Sequence, residues 1–275
     1  MNKVEGVILD WAGTAIDFGC FAPVNVFVDI FRDAGMDVTM EEARAPMGQL
    51  KIDHIRAMLS APRIAALWEE KYGRSYNEND VTTLYEKFEP ALMASLMEYT
   101  DPIPGVIETV SILRNQGLKI GSTTGYTRSM MDIVIPNAKE KGYSPDFIVT
   151  PDETGSYGRP YPYMIYRNME GMKFTAGWKI VKAGDTVSDI KEAINAGVWS
   201  VGVIVGSSEM GLDQEEYNSL SRSEKEEVIQ KTEDVFLKNG ADFTIRTLSE
   251  LPQVIDKING LICEGKEMHK LPNII

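Results

Sequence analysis

A short apolar run near the start of the sequence, Val7-Ile8-Leu9, ends in a single carboxylate, Asp10, followed by Trp11-Ala12-Gly13-Thr14. Such a run reads as a buried strand. In a parallel α/β sheet, ligands bind just outside the carboxyl ends of the strands. Asp10 is thereby placed to face a site rather than the core. Gly184-Asp185-Thr186-Val187-Ser188-Asp189 follows another apolar run, Lys179 to Ala183. Asp185 and Asp189 are one helical turn apart, so both can face one ion at a helix start. With Asp10 they make a hard-cation set, because Mg2+ takes oxygen ligands, commonly one or two carboxylates plus waters and a substrate phosphate. Thr123-Thr124-Gly125 and Gly158-Arg159-Pro160 follow two further strand-like runs. The hydroxyl and amide donors of Thr124 and Gly125 and the guanidinium of Arg159 could hold phosphoryl oxygens. Each piece has an ordinary reading too: Asp189 as a first-turn helix acid, Thr124 as a cap, Arg159 as half of a surface ion pair. All four in order at successive strand ends make a pattern that chance seldom supplies.

The elements that must position these residues alternate. After the first strand and its turn, Gly19-Cys20-Phe21-Ala22-Pro23 reads as a hinge. From Val24 to about Tyr99 the texture is helical, with Val26, Phe27, Ile30 and Phe31, then Ile52, Ile55, Met58 and Leu59, at helical spacing. No strand is expected there. Thr100 to Gly105 closes this helical insert with turn formers. Strands are then expected at 118–122, 147–149, 179–183, 199–205 and 243–245. Helices are expected at 106–116, 129–141, 161–170 and 188–196. Strands alternating with helices imply a parallel sheet with right-handed crossovers. The acidic, helix-prone stretch 209–238 reads as a solvated face, and the sequence from Glu264 on carries little pattern.

Composition narrows the function classes. The 275 residues carry 28 Lys and Arg against 41 Asp and Glu, a formal charge of −13. Nucleic-acid binding needs Lys/Arg patches and is disfavoured, as is an anionic membrane surface. Two cysteines, Cys20 and Cys263, far apart in sequence, make no disulfide framework, and a reducing cytoplasm is the simplest home. The sequence enters its first strand without the charged-then-apolar leader of a signal peptide, and no apolar run approaches the length of a membrane span.

The order DWAGT, STTG, GRP, GDTVSD resembles the haloacid dehalogenase superfamily of phosphoryl-transfer enzymes. The resemblance implies an α/β fold: a Rossmann-like parallel-sheet core, residues 1–20 and 100–275, with an inserted all-helical cap domain, residues 21–99. It also implies an Asp nucleophile and Mg2+. One departure is informative. Most phosphatases of the superfamily have a second Asp two residues after the nucleophile, as general acid/base on the leaving oxygen. Here that position is Ala12. Either the chain is then a poor phosphatase, or its leaving group needs no proton from that position.

Pro46-Met47-Gly48-Gln49-Leu50-Lys51-Ile52-Asp53-His54 carries a Lys and a His three apart, able to share a helix face. A lysine can form a Schiff base with a carbonyl substrate. The imine would act as an electron sink, so that a C–P bond breaks with an enamine as leaving group. Alone, Lys51 reads equally as a solvated lysine and His54 as a packed or surface histidine. With DWAGT, GCFAP, PMGQLKIDH and GSTTGYTRSMMD, the chain resembles the phosphonatase family, which hydrolyses phosphonoacetaldehyde to acetaldehyde and phosphate. That resemblance implies that Asp10 attacks phosphorus and Lys51 forms the imine. It implies that Asp10, the Ala12 carbonyl and Asp185 hold Mg2+, with Asp189 in support. Thr124, Gly125 and Arg159 would orient the phosphoryl group. His54 and Tyr126 would handle protons or position substrate, and Met47 and Cys20 would line the seam between cap and core. A homodimer through the cap, acting on a small phosphonate, is implied as well. Two other readings use the same residues: a phosphomonoesterase or sugar-phosphate mutase, opposed by Ala12, and a non-catalytic phospholigand-binding protein, opposed by the presence of Asp10, Asp185 and Asp189.

Overall fold

Strand β1 (Gly6–Leu9) is buried along its whole length, as its apolar run predicts, and the sheet is built outward from it. The computed structural model describes residues 3 to 265. Strands β2 (Lys119–Thr123), β3 (Phe147–Val149), β4 (Ile180–Gly184), β5 (Trp199–Val203) and β6 (Phe243–Ile245) complete a six-stranded sheet in the order β3-β2-β1-β4-β5-β6. Every pairing is parallel. Leu9 is level with Ser122 on one side and Ala183 on the other. The residues just beyond, Asp10, Thr123-Thr124 and Gly184-Asp185, therefore emerge together. Strand order reverses between β1 and β4, where open α/β sheets gather their ligands.

Between β1 and Thr100 the chain makes five α-helices: α1 (Phe21–Asp33), α2 (Met40–Arg44), α3 (Lys51–Ser60), α4 (Pro62–Tyr72) and α5 (Glu78–Ser95). Their starts follow from local chemistry. Thr39 with Glu42, and Asn77 with Asp80, form reciprocal capping pairs, and Pro62 opens α4 where no amide donor is needed. Phe27 of α1 is fully buried and stacks on Phe88 of α5, ring centroids 4.2 Å apart, and on His54 of α3 at 3.8 Å. Among the described residues this stretch contains no strand. The remaining helices are α6 (Val106–Asn115), α7 (Arg128–Glu140), α8 (Tyr163–Met172), α9 (Val187–Ala196), α10 (Gln214–Ser219), α11 (Arg222–Lys238) and α12 (Leu251–Cys263). The apolar interiors of the sheet and of the insert are continuous. No helix is long and apolar enough to cross a membrane among the described residues.

Two boundaries differ from the sequence reading. Phe21-Ala22-Pro23 forms the first turn of α1 rather than a hinge, since a proline there costs the helix no hydrogen bond. The bend lies just before, where Asp17, Gly19 and Cys20 adopt positive φ of 54°, 81° and 54°. Helix α12 is absent from the sequence reading. Its Leu251, Val254, Ile255 and Ile258 are buried at helical spacing, and Pro252 sits in its permissive first turn. The sequence beyond 265 lies outside the described residues.

The bend is closed by Asp17, whose two carboxylate oxygens accept the amides of Phe21 (3.0 Å) and Ala22 (3.1 Å). Burial pushes its carboxyl up from 3.8 to about 7, against the pull of those amides and of Arg44 and Lys51. Between about pH 4 and pH 7 the folded chain keeps a proton there that the unfolded chain has released. The contribution of Asp17 to stability therefore falls as pH rises through that window. In Asp17→Asn that loss is removed, so urea midpoints of the variant relative to wild type are expected to rise between about pH 4 and pH 7. Parallel pH curves for the two proteins would contradict this.

Candidate active site

Asp10 leaves β1 with its amide donating to the Ala183 carbonyl at 3.0 Å, which fixes the carboxylate at the sheet's edge. Both oxygens accept from Arg159: Nη1 to Oδ2 at 3.0 Å and Nη2 to Oδ1 at 2.6 Å. This is the fork-to-carboxylate geometry that arginine forms best. The Arg159 side chain is fully buried. Its Nε donates to Glu192 Oε2 at 3.1 Å, its Nη2 also reaches Thr123 Oγ1 at 2.9 Å, and Nη1 pairs with Asp189 Oδ1 at 3.2 Å. Burial works against the guanidinium charge, but Asp10, Asp189 and Glu192 outweigh it and hold its pKa well above the ordinary arginine value. Burial likewise opposes ionisation of Asp10, yet Arg159 and Lys182 keep its carboxyl below the ordinary value.

Asp185 sits against Gly13, whose φ is +85°; a Cβ there would lie 2.1 Å from Asp185 Oδ2, so only glycine fits. Thr14 Oγ1 donates to one carboxylate oxygen at 3.0 Å and the Ser208 amide to the other at 2.8 Å. Asp189 lies in the first turn of α9, accepting from Thr186 Oγ1 at 2.5 Å and pairing with Lys182 Nζ at 2.7 Å. Carboxylate oxygens of Asp10, Asp185 and Asp189 lie within 4.8 Å of one another, and all three residues are buried. Burial, reinforced by the charges of Asp10 and Asp189, pushes the Asp185 carboxyl well above its ordinary range. Such crowding of like charges is what a cation among them relieves. With all four buried carboxylates ionised (Asp10, Asp185, Asp189, Glu192), Arg159 and Lys182 leave two negative charges unbalanced. A divalent ion on oxygen donors fits both the donor set and the charge.

The insert closes over these groups. A cavity of about 20 Å3, with room for about one water, is lined by Asp10, Ala12, Thr124, Gly125, Tyr126, Arg159 and Thr186 from the sheet side. Cys20, Met47, Gly48 and Lys51 line it from the insert. Backbone meets backbone at this seam. A Cβ on Gly125 would lie 2.8 Å from the Gln49 carbonyl oxygen, and one on Gly48 2.4 Å from Thr186 Oγ1. Ser188 Oγ donates to the Met47 carbonyl at 3.1 Å. Arg44 ties the same insert to the core: its Nη1 donates to the Gly19 carbonyl at 2.6 Å, and its guanidinium lies 4.5 Å from the Phe21 ring centre.

Lys51, at the start of α3, is buried, with Nζ 3.9 Å from Met47 Sδ and 5.2 Å from the Tyr126 ring centre. Its nearest polar neighbours thus include a thioether and a ring face, and no carboxylate pairs with it among the described residues. Burial lowers its pKa from 10.5; Cys20 and Asp10 pull the other way, and Arg159 adds to the lowering. Burial pushes the Cys20 thiol well above its ordinary value, so its pull on Lys51 acts only once the thiol ionises. Tyr126 is held as the phenol, again chiefly by burial.

The structure thus brings together Asp10, Ala12, Cys20, Met47, Lys51, Thr124, Gly125, Tyr126 and Arg159, with Asp185 and Asp189 beside Asp10. His54 is placed differently. It is buried against Phe27, does not line the cavity, and its Nε2 lies 2.8 Å from the Ala43 carbonyl. A carbonyl only accepts, so Nε2 carries the hydrogen and Nδ1 the lone pair, which has no hydrogen-bond partner among the described residues. Burial and the nearby Lys51 hold the ring neutral. Trp11 is a packing residue, donating to Ser122 Oγ at 2.9 Å and meeting Tyr143 edge-on. Sequence reasoning missed Thr123, Lys182 and Glu192. One signal was available: Lys182 interrupts an otherwise apolar buried strand.

The seam makes a prediction. Gly125→Ala adds one methyl against the rigid Gln49 backbone and so moves Lys51 away from Asp10. Turnover is expected to fall by about a hundredfold, the scale of a 1 Å misplacement, while the melting temperature shifts by only a few degrees. Wild-type turnover in this variant would refute the close fit.

Residues 4–197 match a family model described as haloacid dehalogenase-like hydrolase. A phosphonoacetaldehyde hydrolase from Lysinibacillus sphaericus is 58% identical over 257 residues, covering 94% of this chain and 96% of that protein. Another, from Parabacteroides distasonis, is 52% identical over 260 residues, covering 94% and 98%. Among solved structures, a phosphonoacetaldehyde hydrolase-like protein from Oleispira antarctica superimposes with a TM-score of 0.93 at 38% identity, over 96% of this chain and 95% of that one.

Proposed function

The chain belongs to the haloacid dehalogenase-like hydrolases and, within them, to the phosphonoacetaldehyde hydrolases, and we propose that it cleaves the C–P bond of its substrate through an imine on Lys51 and phosphoryl transfer to Asp10. The observation that carries this reading is the placement of Lys51: a buried amine without a carboxylate partner, on the wall of the same cavity as Asp10.

The neutral amine of Lys51 adds to the aldehyde carbon, and loss of water gives the imine, protonated at nitrogen. Asp10 then attacks phosphorus in line. The C–P electron pair moves into a new carbon–carbon double bond, and the C=N pair moves onto nitrogen, giving an enamine on Lys51 and an acyl phosphate on Asp10. Because nitrogen takes up the electrons, no acid is needed where Ala12 stands. Protonation of the enamine carbon and addition of water release acetaldehyde and restore Lys51. A second water releases phosphate from Asp10, so one water is consumed overall.

For attack, Asp10 must exchange the Arg159 fork for phosphorus. The two Arg159 nitrogens it gives up then face the phosphoryl oxygens, whose stabilisation is the main lever in phosphoryl transfer. Thr124 and Gly125 line the same wall. Asp10, Asp185, Asp189 and the Ala12 carbonyl would hold Mg2+, which when bound neutralises charge on those oxygens. Tyr126, kept as the phenol, can donate or accept a hydrogen bond near the Lys51 nitrogen. His54 acts from behind through the orientation of α3.

The test is borohydride reduction in the presence of phosphonoacetaldehyde, followed by peptide mass spectrometry. A stable adduct on Lys51 is expected, with turnover of Lys51→Arg at background. An adduct confined to other lysines, or full turnover in Lys51→Arg, would overturn the imine route. Acetaldehyde release measured with and without Mg2+ in the wild type tests the ion separately.

A further inference from the structure

Asp10 and a phosphoryl group compete for the same two nitrogens of Arg159, so something else must hold the guanidinium while its partner changes. Glu192 meets that need. It lies on α9 three residues after Asp189, is fully buried, and approaches Arg159 from the edge away from Asp10. Its Oε2 accepts from Arg159 Nε at 3.1 Å and from Thr123 Oγ1 at 3.0 Å, while Lys182 Nζ lies 3.9 Å away. Thr123 Oγ1 in turn accepts from Arg159 Nη2 at 2.9 Å. Two rigid elements, the end of β2 and the first turns of α9, therefore grip one edge of the guanidinium plane.

The same carboxylate is poorly built for stability alone. Its Oε1 is buried with no hydrogen-bond partner among the described residues. A buried ion pair of this kind often gives no more stability than apolar side chains of the same volume. Its geometry serves orientation instead: the Nε contact leaves Nη1 and Nη2 both turned toward Asp10.

We propose that Glu192 is a positioning residue for phosphoryl transfer, holding Arg159 edge-on so that both terminal nitrogens stay aimed at the transferring group as Asp10 lets go of them. This rests on the reading that Asp10 and Arg159 handle the phosphoryl group. It does not depend on the imine.

The experiment compares wild type, Glu192→Gln and Glu192→Ala in two assays. Inorganic phosphate as an inhibitor reads the Arg159 side of the cavity, and borohydride trapping with acetaldehyde, which carries no phosphoryl group, reads the Lys51 side. In Glu192→Ala, inhibition by phosphate is expected to weaken about tenfold and kcat to fall about tenfold or more, the scale for removing a preorganised contact. Trapping on Lys51 stays at the wild-type level. Glu192→Gln, which keeps the shape and one acceptor, recovers part of both losses and is decisive alone if the alanine variant fails to fold. Unchanged kcat and phosphate inhibition overturn the proposal. So does a parallel loss of phosphate inhibition and trapping, which marks a purely structural role. Failure of trapping in the wild type counts against the imine and leaves the phosphate comparison standing.

Discussion

The site depends on a segregation of charge. Asp10 and Lys51 line one small cavity, and a carboxylate so close to an amine would ordinarily hold it protonated. Burial of the amine is the main force against this. Arg159, which occupies both oxygens of Asp10, adds its own positive charge on the same side, while Asp10 still pulls the other way. Around Lys51 itself stand the Met47 thioether, the Tyr126 ring face and the Cys20 thiol. Carboxylates and cations collect on the sheet side, and the amine stays on the apolar side. A carboxylate and an amine thus line one cavity without pairing with each other among the described residues.

That separation holds only when the insert is seated. Lys51 reaches the cavity because three segments meet closely: Gly125 lies against the backbone of residues 48–49, and Gly48 and Met47 lie against the side chains of Thr186 and Ser188. The bend at residues 17–20 aims α1, Asp17 caps it, and Arg44 ties α2 back to the bend. Stacking of Phe27 between Phe88 and His54 makes α1, α3 and α5 one rigid body. The position of Lys51 therefore follows that of α3 in this packed unit, set by the bend at residues 17–20.

Much of this could be read from the sequence, because strand ends obey a simple rule. Asp10, Thr124, Arg159 and Asp185 follow apolar runs, and a parallel sheet delivers the residues after such runs to one place. Lys51 was reached by a different route: Ala12, a residue without chemistry, implied a leaving group that needs no acid, and the Lys-x-x-His spacing supplied a covalent alternative. What stayed hidden is tertiary. Glu192 looks like any helix glutamate until α9 is laid beside β2, and Arg159 looks like half of a surface pair until three carboxylates surround it. His54 shares a helix with Lys51, yet three residues of spacing span enough of the helix surface for one side chain to face the cavity and the other Phe27. Asp17 reads as an ordinary turn acid, and only burial reveals its altered acidity. Helix α12 has no counterpart in the sequence reading, although Leu251, Val254, Ile255 and Ile258 stand at helical spacing and Pro252 is tolerated in its first turn.

The central claim is that Lys51 stands as a neutral amine beside an ionised Asp10, and its titration reads that directly. A pH titration of the Lys51 side-chain nitrogen by NMR of 15N-lysine-labelled protein, assigned by the signal lost in Lys51→Met, is expected to give a midpoint below the ordinary 10.5. A midpoint at or above 10.5 would show an amine held charged by Asp10 and would contradict the account.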